Sequence, residues 1–84
     1  MIEVHYFASI RESLGRTHDN VVAAPDVTTV SALIDHLVSL HGETWDRVLR
    51  QDKVLMAVNQ VVARPSTAIV DGDEVAFFPP VSGG

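Results

Sequence analysis

Apolar positions along the chain follow two periods, one typical of strands and one of a helix. Every second residue from 2 to 8 is apolar, which predicts an N-terminal strand. Residues 9–17, around Gly15, predict a loop. Residues 20–24, which are apolar after Asn20 and are ended by Pro25, predict a second strand that forms a hairpin with the first.

The middle of the chain predicts a helix over about residues 29–41. Thr28 or Thr29 can cap its start, and Gly42 suits the position just past its end, where a positive φ is needed. Residues 45–49 have apolar side chains at i, i+3 and i+4, which predicts one or two further helical turns. The apolar stripe of the main helix consists of Val30, Leu33, Ile34, Leu37 and Leu40.

The last third of the chain predicts short strands separated by turns. Asn59-Gln60, between β-forming residues, indicates a tight hairpin turn, and Asp71-Gly72 indicates another turn. The predicted strands are residues 53–58, 61–62 and 74–78, and residues 68–70 form a short apolar stretch before the last of them. A hairpin, a helix and further strands predict an α+β fold of the β-grasp, or ubiquitin-like, type. Its mixed sheet of about five strands wraps one main helix, with the first and last strands parallel at the centre.

Alternation also predicts an exposed apolar patch. If the even-numbered residues of the first strand face the helix, Phe7 faces away from it. The same argument places Phe78, in the last strand, on the open face of the sheet, where Val62 can join the pair. Exposed aromatic residues on neighbouring strands indicate a surface that binds a partner protein.

Residues 79–84 are expected to leave the folded domain, residues 1–78, as an extended arm. Pro79 and Pro80 have no N–H to continue a strand, and six extended residues reach roughly 20 Å. Gly83 and Gly84 lack Cβ atoms, so the arm can deliver the α-carboxylate of Gly84 into a narrow channel. The alternative is a frayed terminus, which is how most chains end.

Composition excludes several classes of function. With six basic and eleven acidic residues the net charge is −5, which argues against nucleic-acid binding. No apolar run reaches membrane-span length, and the first five residues do not resemble a signal peptide, so we expect a cytoplasmic protein that does not bind membranes. Without cysteine there is no thiol nucleophile. The spacing of His36 and His41 does not suit zinc, so no metal site is expected.

The C-terminal residues 71–84 resemble the signature of the MoaD family, the small subunits of molybdopterin synthase. The similarity extends over the whole chain, through residues 7–12, 29–33 and 57–60. Ser82 stands where some members have threonine. The resemblance implies a ubiquitin-like sulfur carrier in molybdenum cofactor biosynthesis that is not an enzyme by itself.

The resemblance also implies the chemistry of Gly84. An adenylating enzyme of the MoeB or ubiquitin-activating type would use MgATP to adenylate its carboxylate, which is then converted to a thiocarboxylate. The thiocarboxylate would donate sulfur to a pyranopterin precursor in the large subunit, MoaE, of a heterotetrameric synthase. The carrier itself would bind no cofactor.

Further site residues are implied by position in the family's pattern. The residues that would thread the active site of the partner are Pro79, Pro80, Val81, Ser82 and Gly83. The residues that would contact partners are Phe7, Arg11, Val62 and Phe78.

Three alternatives stay open. A ThiS-like carrier for thiazole synthesis shares the fold, the diglycine and the activation chemistry. A ubiquitin-like protein modifier would join the same activated glycine to lysines. A β-grasp binding module would use the face of the sheet alone and leave the tail inert.

Overall fold

A computed structural model describes residues 1–80, which form five strands and three helices. Val81, Ser82, Gly83 and Gly84, on which most of the predictions for the arm fall, lie outside the described residues. The elements are β1 (Ile2–Tyr6), α1 (Ala8–Leu14), β2 (His18–Val21), α2 (Val30–His41), α3 (Glu43–Leu49), β3 (Leu55–Val58), β4 (Val61–Ala63) and β5 (Glu74–Phe78). Within residues 1–80, none of the helices has the length and apolar character needed to span a bilayer.

The five strands form one mixed sheet in the order β2-β1-β5-β3-β4. β1 and β5 are parallel and central, with Val4 opposite Val75 and Tyr6 opposite Phe77. The other three pairings are antiparallel. This arrangement confirms the predicted β-grasp fold, in which the two ends of the sequence supply the two central strands.

One face of the sheet packs against the helices. Tyr6 and Phe77 are almost fully buried there, and they are the largest of the side chains that are less than 2% exposed. Burying side chains of this size supplies the main stabilisation of a small domain, about 1.5–3 kcal/mol for each large apolar residue. The residues of α2 that enter this core are Val30, Leu33, Ile34 and Leu37.

Leu40 was predicted to continue the apolar stripe of α2, and that prediction was wrong. Its side chain is 58% exposed. The inward position in the last turn belongs to His41, which follows Leu37 by four residues. The ring of His41 stacks on Trp45 of α3 with 4.2 Å between the ring centroids.

The predicted loop at residues 9–17 is instead largely a helix, and the first strand stops before Ala8. In α1 the buried side chains are Ile10 and Leu14, one helical turn apart. Gly15 ends the helix with φ 70°, and its N–H donates to the carbonyl of Arg11. Seven residues provide only one i, i+4 apolar pair, too little periodicity for the pattern to reveal the helix.

The second strand was predicted too late in the sequence. β2 spans His18–Val21 rather than 20–24, and it pairs with β1 in the expected antiparallel direction. Its inward side chains are Val21 and Asp19, of which Asp19 is only 8% exposed. Asp19 interrupts the apolar alternation that would have indicated this strand. Its carboxylate can occupy an inward position because it hydrogen-bonds to Tyr6 and His41, which lie elsewhere in the sequence.

Local signals predicted the helix cap and the hairpin turn correctly. Thr29, not Thr28, caps α2, because its hydroxyl accepts a 3.1 Å hydrogen bond from the N–H of Ala32. Asn59 and Gln60 both have positive φ, 51° and 68°, as a two-residue type I′ turn requires. Residues 68–70 do not form a strand: Ala68 makes a single bridge to Thr29.

Candidate functional site

Phe7 and Phe78 form an aromatic pair at the ends of the two central strands. Their rings are stacked, with centroids 4.8 Å apart and planes 5° from parallel. Phe7 remains 39% exposed, and Phe78 is half-buried. Both side chains lie on the face of the sheet away from α2, as alternation predicts.

Beside the pair lies an apolar groove across the open face. Its floor is made by Ala57 and Ala76, which face each other in the register of β3 and β5. Small side chains at these positions leave room between the phenylalanine pair and Val62, which is 86% exposed on the edge strand β4. The residues that line this groove, of about 380 Å³, are Phe7, Ala57, Gln60, Val62, Glu74, Ala76 and Phe78. Exposed apolar surface of this kind commonly marks a site of protein association.

Arg11 is exposed on α1, which begins directly after Phe7. It lines a second, shallow pocket together with Glu12, Arg16 and His18. The structure therefore places three of the four predicted contact residues around one groove, and places Arg11 on the neighbouring helix.

The chain leaves the sheet at the edge of the apolar groove. Phe78 is both a wall of the groove and the last residue of β5. Pro79 is half-buried and Pro80 is exposed, and neither belongs to a strand. Anything that binds in the groove therefore contacts the protein beside the start of the predicted arm.

A buried hydrogen-bond network anchors β1 on the opposite face of the sheet. The hydroxyl of Tyr6 donates to Asp19 Oδ2 at 2.8 Å and accepts from Trp45 Nε1 at 3.1 Å. Arg16 and His41 also contact the carboxylate of Asp19, at 2.6 and 3.0 Å. Burial is the main reason why the pKa of Tyr6 is raised above its usual value. Because Phe7 directly follows Tyr6, this network holds the strand that presents the aromatic pair.

A group of polar side chains on the open face was missed by the sequence pattern. Glu3, His5 and Glu74 place one oxygen or nitrogen atom each within 4.8 Å of one another, a set that could hold a metal ion. The available signal was the alternation of β1, which puts Glu3 and His5 on one face. The expectation of no metal site rested on the spacing of His36 and His41, and residues 71–74, which include Glu74, were interpreted as a turn and the start of a strand.

Comparison with known proteins gives consistent matches over the full chain. Residues 4–84 match the model of the ThiS family. The chain is 44% identical over 84 residues to the molybdopterin synthase sulfur carrier subunit of Escherichia coli, with 100% of both chains covered. It is 41% identical to the protein of the same name from Mycobacterium tuberculosis, covering 99% of this chain and 96% of that one.

Solved structures agree with the fold. The crystal structure of SAMP1 from Haloferax volcanii, small archaeal modifier protein 1, matches with a TM-score of 0.76 and 30% identity, covering 99% of this chain and 98% of that one. Subunits 1 and 2 of the molybdopterin-converting factor of Helicobacter pylori have been solved as a complex, and a chain of that complex shares the fold with a TM-score of 0.62 at 20% identity. The match covers 99% of this chain and 97% of that chain. The family match over residues 4–84 shows that this chain belongs to the ThiS family, and the relatives that it matches at 41–44% identity are named molybdopterin synthase sulfur carrier subunits.

Proposed function

We propose that this protein is the sulfur carrier of a molybdopterin synthase and that the α-carboxylate of Gly84 carries the sulfur. The observation that carries the proposal is the position of the apolar groove, which flanks the point where the chain leaves β5. A partner that binds the groove would receive residues 79–84 directly beside it. Alignment with the Escherichia coli carrier over both full lengths supports the same assignment.

The chemistry of the carboxylate explains why a partner must activate it. A terminal carboxyl group has a pKa of about 3.3–3.7, so at neutral pH it is an anion and a poor electrophile. In an activating enzyme that binds MgATP, a carboxylate oxygen of Gly84 would attack the α-phosphate and release pyrophosphate. A sulfur nucleophile would then displace AMP from the acyl-adenylate and leave a thiocarboxylate. In these steps the carrier would contribute the acyl group and would need no bound cofactor of its own.

The large synthase subunit would bind the open face of the sheet in the cytoplasm. Phe7, Val62 and Phe78 would supply apolar contact area, with Arg11 at the margin on α1. The carrier domain, residues 1–78, would then hold the arm in the active site of the large subunit, where the thiocarboxylate donates sulfur to a pyranopterin precursor. The residues proposed to thread this channel are Pro79, Pro80, Val81, Ser82 and Gly83. Two carriers and two large subunits would form the heterotetramer.

Intact-mass spectrometry tests the central step. The full chain is incubated with MgATP, a MoeB-type activating enzyme and sulfide, and we expect a gain of about 16 Da, as one oxygen is exchanged for sulfur. A variant with one residue added after Gly84 is the matched control and should show no gain. Absence of the gain in the wild-type chain, with an enzyme that thiolates its own cognate carrier, would refute the proposal.

Adding either the large synthase subunit or a thiazole-forming enzyme to the thiocarboxylate form distinguishes this role from that of a thiazole carrier. The thiocarboxylate form should convert a pyranopterin precursor to a dithiolene when the large synthase subunit is present. Transfer only to a thiazole-forming enzyme would assign the chain to thiamine synthesis instead.

The likeness to SAMP1 favours one second candidate, a protein modifier. The same acyl-adenylate would then be attacked by a lysine Nζ of a target, releasing AMP and forming an isopeptide bond. Adducts that survive thiol treatment and contain Gly84 joined to lysine would support this function.

A further inference from the structure

Three side chains with metal-binding atoms meet on the open face, where Glu3 and Glu74 lie near the starts of β1 and β5 and His5 lies between Glu3 and Phe7. Glu3 and His5 are two residues apart on β1, so they lie on the same face. Glu74 begins β5 and stands directly opposite Glu3 in the parallel register. One ligand atom from each of the three residues lies within 4.8 Å of the others.

The imidazole of His5 is the central member of this group. Its Nε2 atom is buried and has no hydrogen-bond partner within residues 1–80, whereas the side chain as a whole is 35% exposed. The nearest carboxylate oxygen, Oε2 of Glu3, is 3.6 Å away, too far for a hydrogen bond. The ring stacks on Phe7 with planes 25° apart. A buried nitrogen without a partner is costly, and a cation bound to it would remove that cost.

The charges around His5 also favour a cation. Glu3 and Glu74 are like charges on directly opposed positions of neighbouring strands, an arrangement that is destabilising on its own. The five described strands contain no lysine or arginine, so the permanently charged basic side chains do not offset this pair within the sheet. The nearby basic groups of the sheet are the imidazoles of His5 and of His18, whose ring centroids are 6.2 Å apart. Asn20, the residue opposite Glu3 on β2, is uncharged.

We propose that Glu3, His5 and Glu74 form a binding site for a divalent transition-metal ion of the Zn²⁺ type. Adjacent ligands of tetrahedral zinc, bound at about 2.0–2.2 Å, stand roughly 3.3–3.6 Å apart. The spacing of Glu3 and His5 already meets this requirement, and small rotations about the flexible bonds of Glu74 close the remaining distance. One imidazole and two carboxylates suit Zn²⁺ better than Mg²⁺ or Ca²⁺, which prefer oxygen ligands alone.

The proposed metal site borders the apolar groove. Glu74 belongs to both features, since it also lines the groove. Three protein ligands leave one position on zinc for water or for a side chain of a protein bound in the groove. The metal site is proposed from these residues alone and does not depend on sulfur transfer.

Isothermal titration of the full-length, tag-free chain with Zn²⁺ tests the site. We expect one ion per chain for the wild type and for His36→Gln, a matched control on α2, which packs on the other face of the sheet. His5→Gln and Glu74→Gln should each weaken binding at least tenfold, and Mg²⁺ should not compete. Equal affinities in all four proteins, or no saturable binding by the wild type, would overturn the proposal.

Nitrogen NMR of the imidazole rings gives a second, residue-specific measurement. Zn²⁺ should shift the Nε2 resonance of His5 and leave that of His36 unchanged. If His5→Gln does not fold, the exposed Glu3→Gln takes its place, with the same tenfold loss expected. A shift confined to other histidines would contradict the site.

Discussion

The rings of Phe7 and Phe78 stack 4.8 Å apart although the two residues come from opposite ends of the sequence. Parallel pairing of β1 with β5 brings them together, and the N–H of Phe7 donates to the carbonyl of Phe77 at 3.1 Å. The aromatic surface therefore exists only when both ends of the chain have folded, and it lies beside the start of residues 79–84.

Phe78→Asp should weaken association with the large subunit by more than about 2 kcal/mol, because an unpaired charge replaces an aromatic anchor at the interface. The domain should still fold, since Phe78 lies outside the main core. Leu40→Asp, on the exposed side of α2, is the matched control and should bind normally. Calorimetry measures the affinity of the wild type and of both variants for the large subunit. Unchanged binding by Phe78→Asp would rule out the groove as the docking surface.

Gly83→Ala should slow adenylation or sulfur transfer on the order of 100-fold, as expected when the reacting carbon is displaced by about 1 Å. The added methyl group would meet the wall of a channel shaped for bare backbone, and it would exclude positive-φ conformations. Single-turnover transfer measures the effect. The melting temperature of Gly83→Ala should match that of the wild type, and so should that of a chain lacking Gly84. Surface changes usually alter the free energy of unfolding by no more than about 0.5 kcal/mol. If Gly83→Ala transfers sulfur at the wild-type rate, the proposal that the arm threads a narrow channel loses its support.

Asp19→Ala should lower the free energy of unfolding by about 2 kcal/mol or more. It removes the acceptor of the Tyr6 hydroxyl and leaves buried or half-buried donors without a partner. Asp26→Ala, at an exposed position, is the control and should stay within about 0.5 kcal/mol of the wild type. Urea denaturation compares the three proteins. Equal stabilities would mean that the network contributes nothing.

Alkaline pH should destabilise the protein through Tyr6, the only tyrosine. Burial raises the pKa of Tyr6 in the folded state, so the folded protein keeps the proton where the unfolded chain loses it. The corresponding stability is fully present below about pH 10, the ordinary pKa of tyrosine, and is lost as the pH rises further. Tyr6→Phe should lack this loss. Tyrosinate absorption at pH 10 from a chain that is still folded would contradict the expectation.

Thr29→Ala should cost about 1 kcal/mol of stability, because the N–H of Ala32 loses its side-chain acceptor at the start of α2. Thr28→Ala is the neighbouring control. Thr28 is exposed, and its backbone carbonyl, which accepts from the N–H of Ile69, is kept in the variant. Denaturation midpoints that shift equally for both would place the cap elsewhere.

Local periodicity was enough to predict the elements whose structure depends on near neighbours. The stripe of α2 repeats within single turns, and the Asn59-Gln60 turn depends on two adjacent residues, so both could be found in the sequence. Alternation along β1 and β5 likewise placed Phe7 and Phe78 on the open face. The order of these elements then indicated the β-grasp topology.

Contacts between distant residues decided what the pattern could not. Asp19 occupies an inward strand position because Tyr6, Arg16 and His41 contact its carboxylate, and those partners are set by the packing of β1, α2 and the loop before β2. The sequence pattern did not predict α1, whose two buried side chains, Ile10 and Leu14, are identified only in the structure. The juxtaposition of Glu3 with Glu74 arises from strand pairing between the two ends of the chain. Strand and helix periods record which face a side chain occupies, whereas the identity of its neighbour across the sheet depends on register, which only the folded chain determines.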